Sequence, residues 1–295
     1  MNAPTIPLAR LRDPKENTAW IWLAVFAAPL WLGVLAFIVL SYGMPLLFIG
    51  AVWLAGYMAR CFAQAYIKTN AIEVSPTQLP AVNRLVEESC AKLRLARPAV
   101  YVLQHNLWNA FANKVAGQRT VVLFSGAVDS LLANQGDPRQ LAFLIGHELG
   151  HHAAGHLDFS RNWVSLGGVV PWLYLWYSRR RELTCDRIGL YCAGDLETAL
   201  RAMTNMAVGS QLAGQVNVAA AIRQWEAHRG EFFVNYRTLY STHPQLLCRL
   251  ACLPEAAKEL AIPIRPPLPE PGMPPQLPED VTRYMPPAAR PVETT

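Results

Sequence analysis

The hydrophobic pattern divides the chain into an apolar amino-terminal part, an amphipathic middle and a proline-rich end. From Trp20 to Leu40 there is no charged residue, and a helix over this run spans about 31 Å, the thickness of a bilayer core. Ser41-Tyr-Gly-Met-Pro45 breaks the run, and a second apolar stretch follows from Leu46 to Ile67. Arg60 and Gln64 interrupt it, but Arg60 is placed to snorkel to the interface. The pattern predicts a transmembrane hairpin over 18–67, with helices at about 18–40 and 45–67, after a polar cytoplasmic segment over 1–17. The first stretch is too long for a cleaved signal peptide and lacks a convincing small-x-small site. Arg10 and Arg12 precede the first span, and Arg60 and Lys68 close the second. By the positive-inside rule both ends then face the cytoplasm, together with everything that follows.

The middle reads as a mainly helical α+β domain over 76–260. Val82, Leu85, Val86 and Leu93 share one helical face. Residues 98–104, 108–112 and 120–124 are strand-like, the last two joined through Ala116-Gly117-Gln118, which predicts a small antiparallel sheet with a hairpin. At 137–155, Asp137 suits an N-cap and Pro138 the first helical position. Leu141, Phe143, Leu144 and Ile145 then make this helix apolar nearly all round, so it is expected to be buried. Trp163–Tyr177 is a third apolar stretch. As a helix it would reach about 22 Å, short for a span, and a single crossing there would put its two flanks on opposite sides of the membrane. An interfacial loop and a buried core segment both fit it. Helical stretches follow at 179–193, 195–213 and 218–233, and a last one runs from the 241–244 turn to about Leu260. The end, 261–295, reads as a disordered tail with a capacity to bind a partner, because eleven of the 23 prolines fall there.

Composition sharpens this picture. Hydrophobic residues make up 52% and mean hydropathy is +0.16, which agrees with membrane segments. The net charge of +5 is modest and spread out apart from Arg179-Arg180-Arg181, which argues against a nucleic-acid partner. Six cysteines without a Cys-x-x-Cys pair read as free thiols.

The candidate chemistry lies in the buried helix. His147-Glu148-Leu-Gly-His151 sets two imidazoles four residues apart, on one face and one turn apart, with a glutamate beside the first. They can share one metal ion, and Glu148 can take a proton from metal-bound water as general base. A catalytic zinc takes three protein ligands and leaves a place for water. Glu182 is the candidate third ligand, with Asp186 one turn further on to accept the free N–H of a ligand histidine. The competing reading of Glu182 and Asp186 is an exposed charged face. His152 and His156 read as polar, partly exposed histidines with secondary roles.

Four motifs in order then resemble the membrane zinc metallopeptidases of the HtpX, CAAX prenyl protease and OMA type, within the gluzincins. They are Asn109-Ala-Phe-Ala112, His147-Glu-Leu-Gly-His151, Glu182-x-x-x-Asp186, and Thr242-His-Pro244 followed by Arg249. The resemblance implies a zincin-like domain with one Zn2+ held by His147, His151 and Glu182, and Glu148 as base. Asp186 would orient a ligand histidine and Arg249 would brace the acidic residues. His243 would reach the oxyanion or substrate. Asn109, Ala110 and Phe111 would belong to an edge against which a substrate backbone lies. HtpX has two further spans between the zinc motif and the third ligand, where this chain has one short apolar stretch. The expected function is a membrane-anchored zinc endopeptidase of a bacterial inner membrane. It would cut polypeptides, membrane proteins among them, in quality control or processing. A non-hydrolytic zinc-bound scaffold that holds polypeptide clients is the alternative.

Overall fold

The computed structural model describes residues 6–107, 109–132 and 137–263. A short α1 (Leu8–Leu11) leads into α2 (Glu16–Leu40), and a tight turn at Tyr42 and Gly43 reverses the chain into α3 (Met44–Asn70). Both Tyr42 and Gly43 have positive φ, which Gly43 adopts without a Cβ clash. By length and composition, α2 and α3 are long and apolar enough to cross a membrane, and most of their side chains are exposed.

The remainder is a helical domain with one four-stranded sheet, β1 (Ala71–Glu73), β2 (Ala99–Leu103), β3 (Ala110–Val115) and β4 (Gln118–Phe124), in the order β1-β2-β4-β3. The sheet is mixed rather than wholly antiparallel as the strand pattern suggests: β2 and β4 run parallel, while β1–β2 and β3–β4 are antiparallel. The physical reason is the connection after β2. It passes over one strand position, so the β3–β4 hairpin inserts its second strand beside β2 and leaves β3 at the edge. The hairpin turns at Ala116 and Gly117, both with positive φ.

Helices α4 (Pro80–Leu93), α5 (Ser125–Leu132) and α6 (Arg139–Ala153) precede the short α7 (Phe159–Asn162) and a 3-10 segment, Trp163–Val169. Next come α8 (Pro171–Ala193), α9 (Leu196–Val208), α10 (Ser210–Ala213), α11 (Val218–His228), α12 (Phe232–Leu239) and α13 (Leu246–Leu260). The main core joins α4, α5, α6, α8, α9 and α13 to one face of the sheet, through residues such as Val86, Leu123, Phe143, Leu149, Ile188, Leu200 and Leu253. Asp137 caps α6, accepting a hydrogen bond from the Arg139 amide at 2.9 Å.

Two features place the functional side chains. The first is a close seam between α6 and α8. A Cβ on Gly146 would lie 2.6 Å from Cys192, and one on Gly189 would lie 2.7 Å from the Phe143 carbonyl, so glycine is needed for this approach. The second is a strap formed by residues 6–16. The sequence reads 1–17 as a polar segment, yet Leu11 is buried in the core and Arg187 donates to the carbonyls of Leu11 and Arg10, each at 3.0 Å. The Trp163–Tyr177 stretch is half 3-10 segment and half α8. It packs on the start of α2, where Ala19, Leu23 and Ala27 meet Val164 and Tyr177, while Val169 and Trp172 stay exposed. All six cysteines are free. The proline-rich tail expected over 261–295 lies outside the described residues from 264 onward.

Candidate metal centre

Helix α6 carries His147, Glu148 and His151, and the seam brings α8 across it so that Glu182 faces both histidines. His147 Nε2 lies 3.4 Å from Glu182 Oε2, and His151 Nε2 lies 3.7 Å from Glu182 Oε1. All three side chains are nearly buried, with His151 the most exposed at 13%. His243, on the turn before α13, brings its Nε2 to 3.6 Å from Glu182 Oε2 and stands at the rim with its side chain 63% exposed.

Behind this group, His147 Nδ1 donates to Asp186 Oδ1 at 3.0 Å. Asp186 in turn accepts two bonds from Arg249, Nε to Oδ2 at 2.8 Å and NH2 to Oδ1 at 2.6 Å. This forked pair is the strong geometry of a guanidinium on a carboxylate. Burial works against ionising either carboxylate, but Arg249 holds Asp186 below the usual carboxylate range, and His147 does the same for Glu182. Burial also disfavours a charged His147, yet Asp186 and Glu182 outweigh it and lift its pKa to about 10. His151 goes the other way: desolvation holds it well below 6.5. Burial raises Glu148 to about 7, with the neighbouring His147 opposing the rise.

The group opens into a cleft of ≈ 330 Å³, walled on one side by Asn109, Ala110, Phe111 and Ala112 of the edge strand. Strand β3 bonds β4 through alternate residues, as the Phe124 amide to the Asn109 carbonyl at 3.1 Å shows. The groups of Ala110, Ala112 and Lys114 therefore point to the open edge. Two of these amides are taken locally. Ala110 donates to the Asn109 side chain at 2.9 Å and Lys114 to the Asn113 side chain at 2.8 Å, while the Ala112 backbone opposes the rise in the Glu148 pKa. Covered donors of this kind keep an exposed edge from pairing indiscriminately.

The structure thus brings His147, Glu148, His151, Glu182, His243, Arg249 and residues 109–112 to one cleft, with Asp186 behind His147. A second donor set overlaps it, since atoms of His147, His151 and Cys185 also lie within 4.8 Å of one another. Cys185 is fully buried, and burial followed by the surrounding carboxylates pushes its thiol well above 9. A thiol binds a metal as thiolate, and the Glu182 carboxylate, unlike Cys185, lines the open cleft. The geometry therefore favours Glu182. Two residues escaped sequence reasoning. His156 is 1% exposed rather than partly exposed, with its Nδ1 3.2 Å from His151 Nδ1, and Glu16 is fully buried beside it. His152 is also buried and pairs with the Thr120 carbonyl at 3.1 Å, tying α6 to the sheet. A histidine five residues after a metal-motif histidine was the available signal for His156. Glu16 had none.

A helix with two facing histidines, a carboxylate from a second helix as the third group and an edge strand define the metallopeptidase class of site. Residues 76–170 and 158–257 match Peptidase family M48, and the chain belongs to that family. It is 27% identical to the plastoglobule-localized metallopeptidase 48 of Arabidopsis thaliana, a match over 63% of this chain and 60% of the relative. It is 26% identical to a protease HtpX homolog of Moorella thermoacetica, over 64% of this chain and 76% of the relative. The chain thus spans less than two thirds of the length of the plant relative.

Proposed function

We propose that the protein is a zinc-dependent endopeptidase anchored by α2 and α3, with His147, His151 and Glu182 as the metal ligands. The convergence of two imidazole Nε2 atoms and one carboxylate beside Glu148 carries this reading. His147 Nε2 and His151 Nε2 lie 3.4 and 3.7 Å from the two carboxylate oxygens of Glu182, so the three side chains would hold one zinc ion between them. Bound there, zinc supplies Lewis acidity that polarises a peptide carbonyl and acidifies a water.

The protein's own groups do the rest. With its pKa lifted to about 7, Glu148 is suited to accept a proton at its carboxylate and return it to the leaving amine. Asp186 and Arg249 hold the ring of His147, and His243 offers a donor at the rim for the developing oxyanion. A peptide aligns as an added strand on β3, with the Asn109 and Asn113 side chains releasing the Ala110 and Lys114 amides to it. Arg10, Arg12, Arg60 and Lys68 put the catalytic domain on the cytoplasmic side of the membrane, where exposed segments of polypeptides, membrane proteins included, are the substrates. In detergent with added zinc, the wild type is expected to cleave casein. Glu148→Gln should keep zinc and lose cleavage, and His147→Ala should lose both. Full activity in Glu148→Gln overturns the mechanism. Zinc and client binding without turnover in the wild type would instead identify a scaffold.

A further inference from the structure

His147 has a carboxylate partner within its own domain core, whereas His151 is held by groups from elsewhere in the chain. The ring of His156 is fully buried. Its Nδ1 lies 3.2 Å from His151 Nδ1 and its Nε2 lies 3.3 Å from Glu16 Oε1. Glu16, in the first turn of α2, is fully buried as well. Its carboxylate pairs with Arg12, accepts from the Thr184 hydroxyl, and has Arg161 NH1 at 3.6 Å. Arg12 also donates to the Ala154 carbonyl at 3.0 Å, which ties the strap to the end of α6.

We propose that Glu16 and His156 are positioning residues for the metal site, a hydrogen-bonded chain that fixes His151 from the start of the first apolar helix. This rests on the metal-site reading above. The proton directions follow from donor chemistry. A carboxylate between two guanidinium groups is an acceptor only, so the N–H of His156 sits on Nε2 and points to Glu16. Nδ1 of His156 then accepts, and His151 must donate from its own Nδ1. That leaves the lone pair of His151 on Nε2, the atom facing Glu182. Among the described residues, the only other donor at His156 Nδ1 is the weak Cys185 thiol, its sulfur 3.7 Å away. The chain therefore sets both the tautomer and the ring orientation of His151, as a second carboxylate does for His147. It also makes the metal site depend on a residue at the very start of the apolar hairpin.

The test uses the full-length protein in detergent, with zinc affinity measured by chelator competition and folding followed by circular dichroism and metal-free melting. His156→Leu and Glu16→Gln are each expected to weaken zinc binding about 10–100-fold, with part of the loss recovered in Glu16→Asp. Asp137→Ala, which removes the α6 cap without touching the chain, lowers stability but should leave zinc affinity unchanged. The visible band of the cobalt-substituted protein should shift in His156→Leu and Glu16→Gln and not in Asp137→Ala. Wild-type zinc affinity in folded His156→Leu and Glu16→Gln overturns the proposal, and so does an equal loss in Asp137→Ala. If His156→Leu does not fold, Glu16→Gln decides. If the wild type binds no zinc, or His151→Ala binds it equally well, the metal-site reading itself fails. Where both controls behave and only the chain variants are silent, the chain alone is wrong.

Discussion

The two histidines of the motif are one turn apart on the same helix, yet they are held in different ways. His147 reaches a carboxylate directly, and Asp186 is clamped by Arg249 from α13. His151 reaches a carboxylate through another imidazole, and Glu16 is clamped by Arg12 from the strap. Both arrangements end in a carboxylate–guanidinium pair, one within the helical core and the other at the junction with the apolar hairpin. The charge states differ accordingly: His147 is pushed up to about 10, and His151 stays well below 6.5. A linear motif thus specifies two like histidines, while the surrounding fold makes them unlike.

The largest expected effect tests the core side. Asp186→Ala strands the buried Arg249 charge and should cost about 3–5 kcal/mol in denaturant unfolding of the metal-free protein. Glu16→Gln should cost clearly less, because the amide still offers Arg12 an oxygen and Arg12 keeps its bond to the Ala154 carbonyl, whereas alanine takes both acceptor oxygens from Arg249. Equal costs would break the distinction between the two sides.

The pH dependence of the metal-free protein sharpens it. The folded pKa of His147, about 10, lies above its unfolded value near 6.5, so its contribution is full below that value and is lost as pH rises toward 10. His151, held neutral by burial, contributes above about 6.5, and that contribution is lost as pH falls below it. Glu148, raised to about 7, adds a decline between about 4.5 and 7, and the buried thiols, raised above 9, add theirs only from about pH 9, so the limb between pH 7 and 9 isolates His147. Melting temperature against pH should therefore flatten on the alkaline side in His147→Gln and on the acid side in His151→Gln. The alkaline effect should be on the order of a few kcal/mol. Identical profiles in the two variants would contradict the unlike charge states. The smallest effect is the shared support of both histidines: Asp137→Ala should cost about 1 kcal/mol of stability through the lost cap, without altering either limb.

Much of this was legible because it is local. Helix spacing alone puts His147 with His151, and Glu182 with Asp186, on common faces. An unbroken apolar run marks α2, and turn residues mark the β3–β4 hairpin. Other features were not legible because they depend on contacts far apart in sequence. Strand periodicity predicts strands but not their order, so the parallel β2–β4 pair and the edge position of β3 follow only from how the hairpin inserts. His156 reads as an ordinary polar residue until the strap closes over it.

The amino-acid sequence by itself determined the elements, the metal-ligand candidates and the apolar hairpin, because these rest on periodicities of a few residues. Only the tertiary structure decided that Glu182 and not Cys185 faces the cleft, that the Ala110 and Lys114 amides of β3 are covered by Asn109 and Asn113, and that Glu16 lies buried against His156. The physical reason is that a buried charge is tolerable only where the fold supplies its partners, and no local pattern names partners that lie so far along the chain.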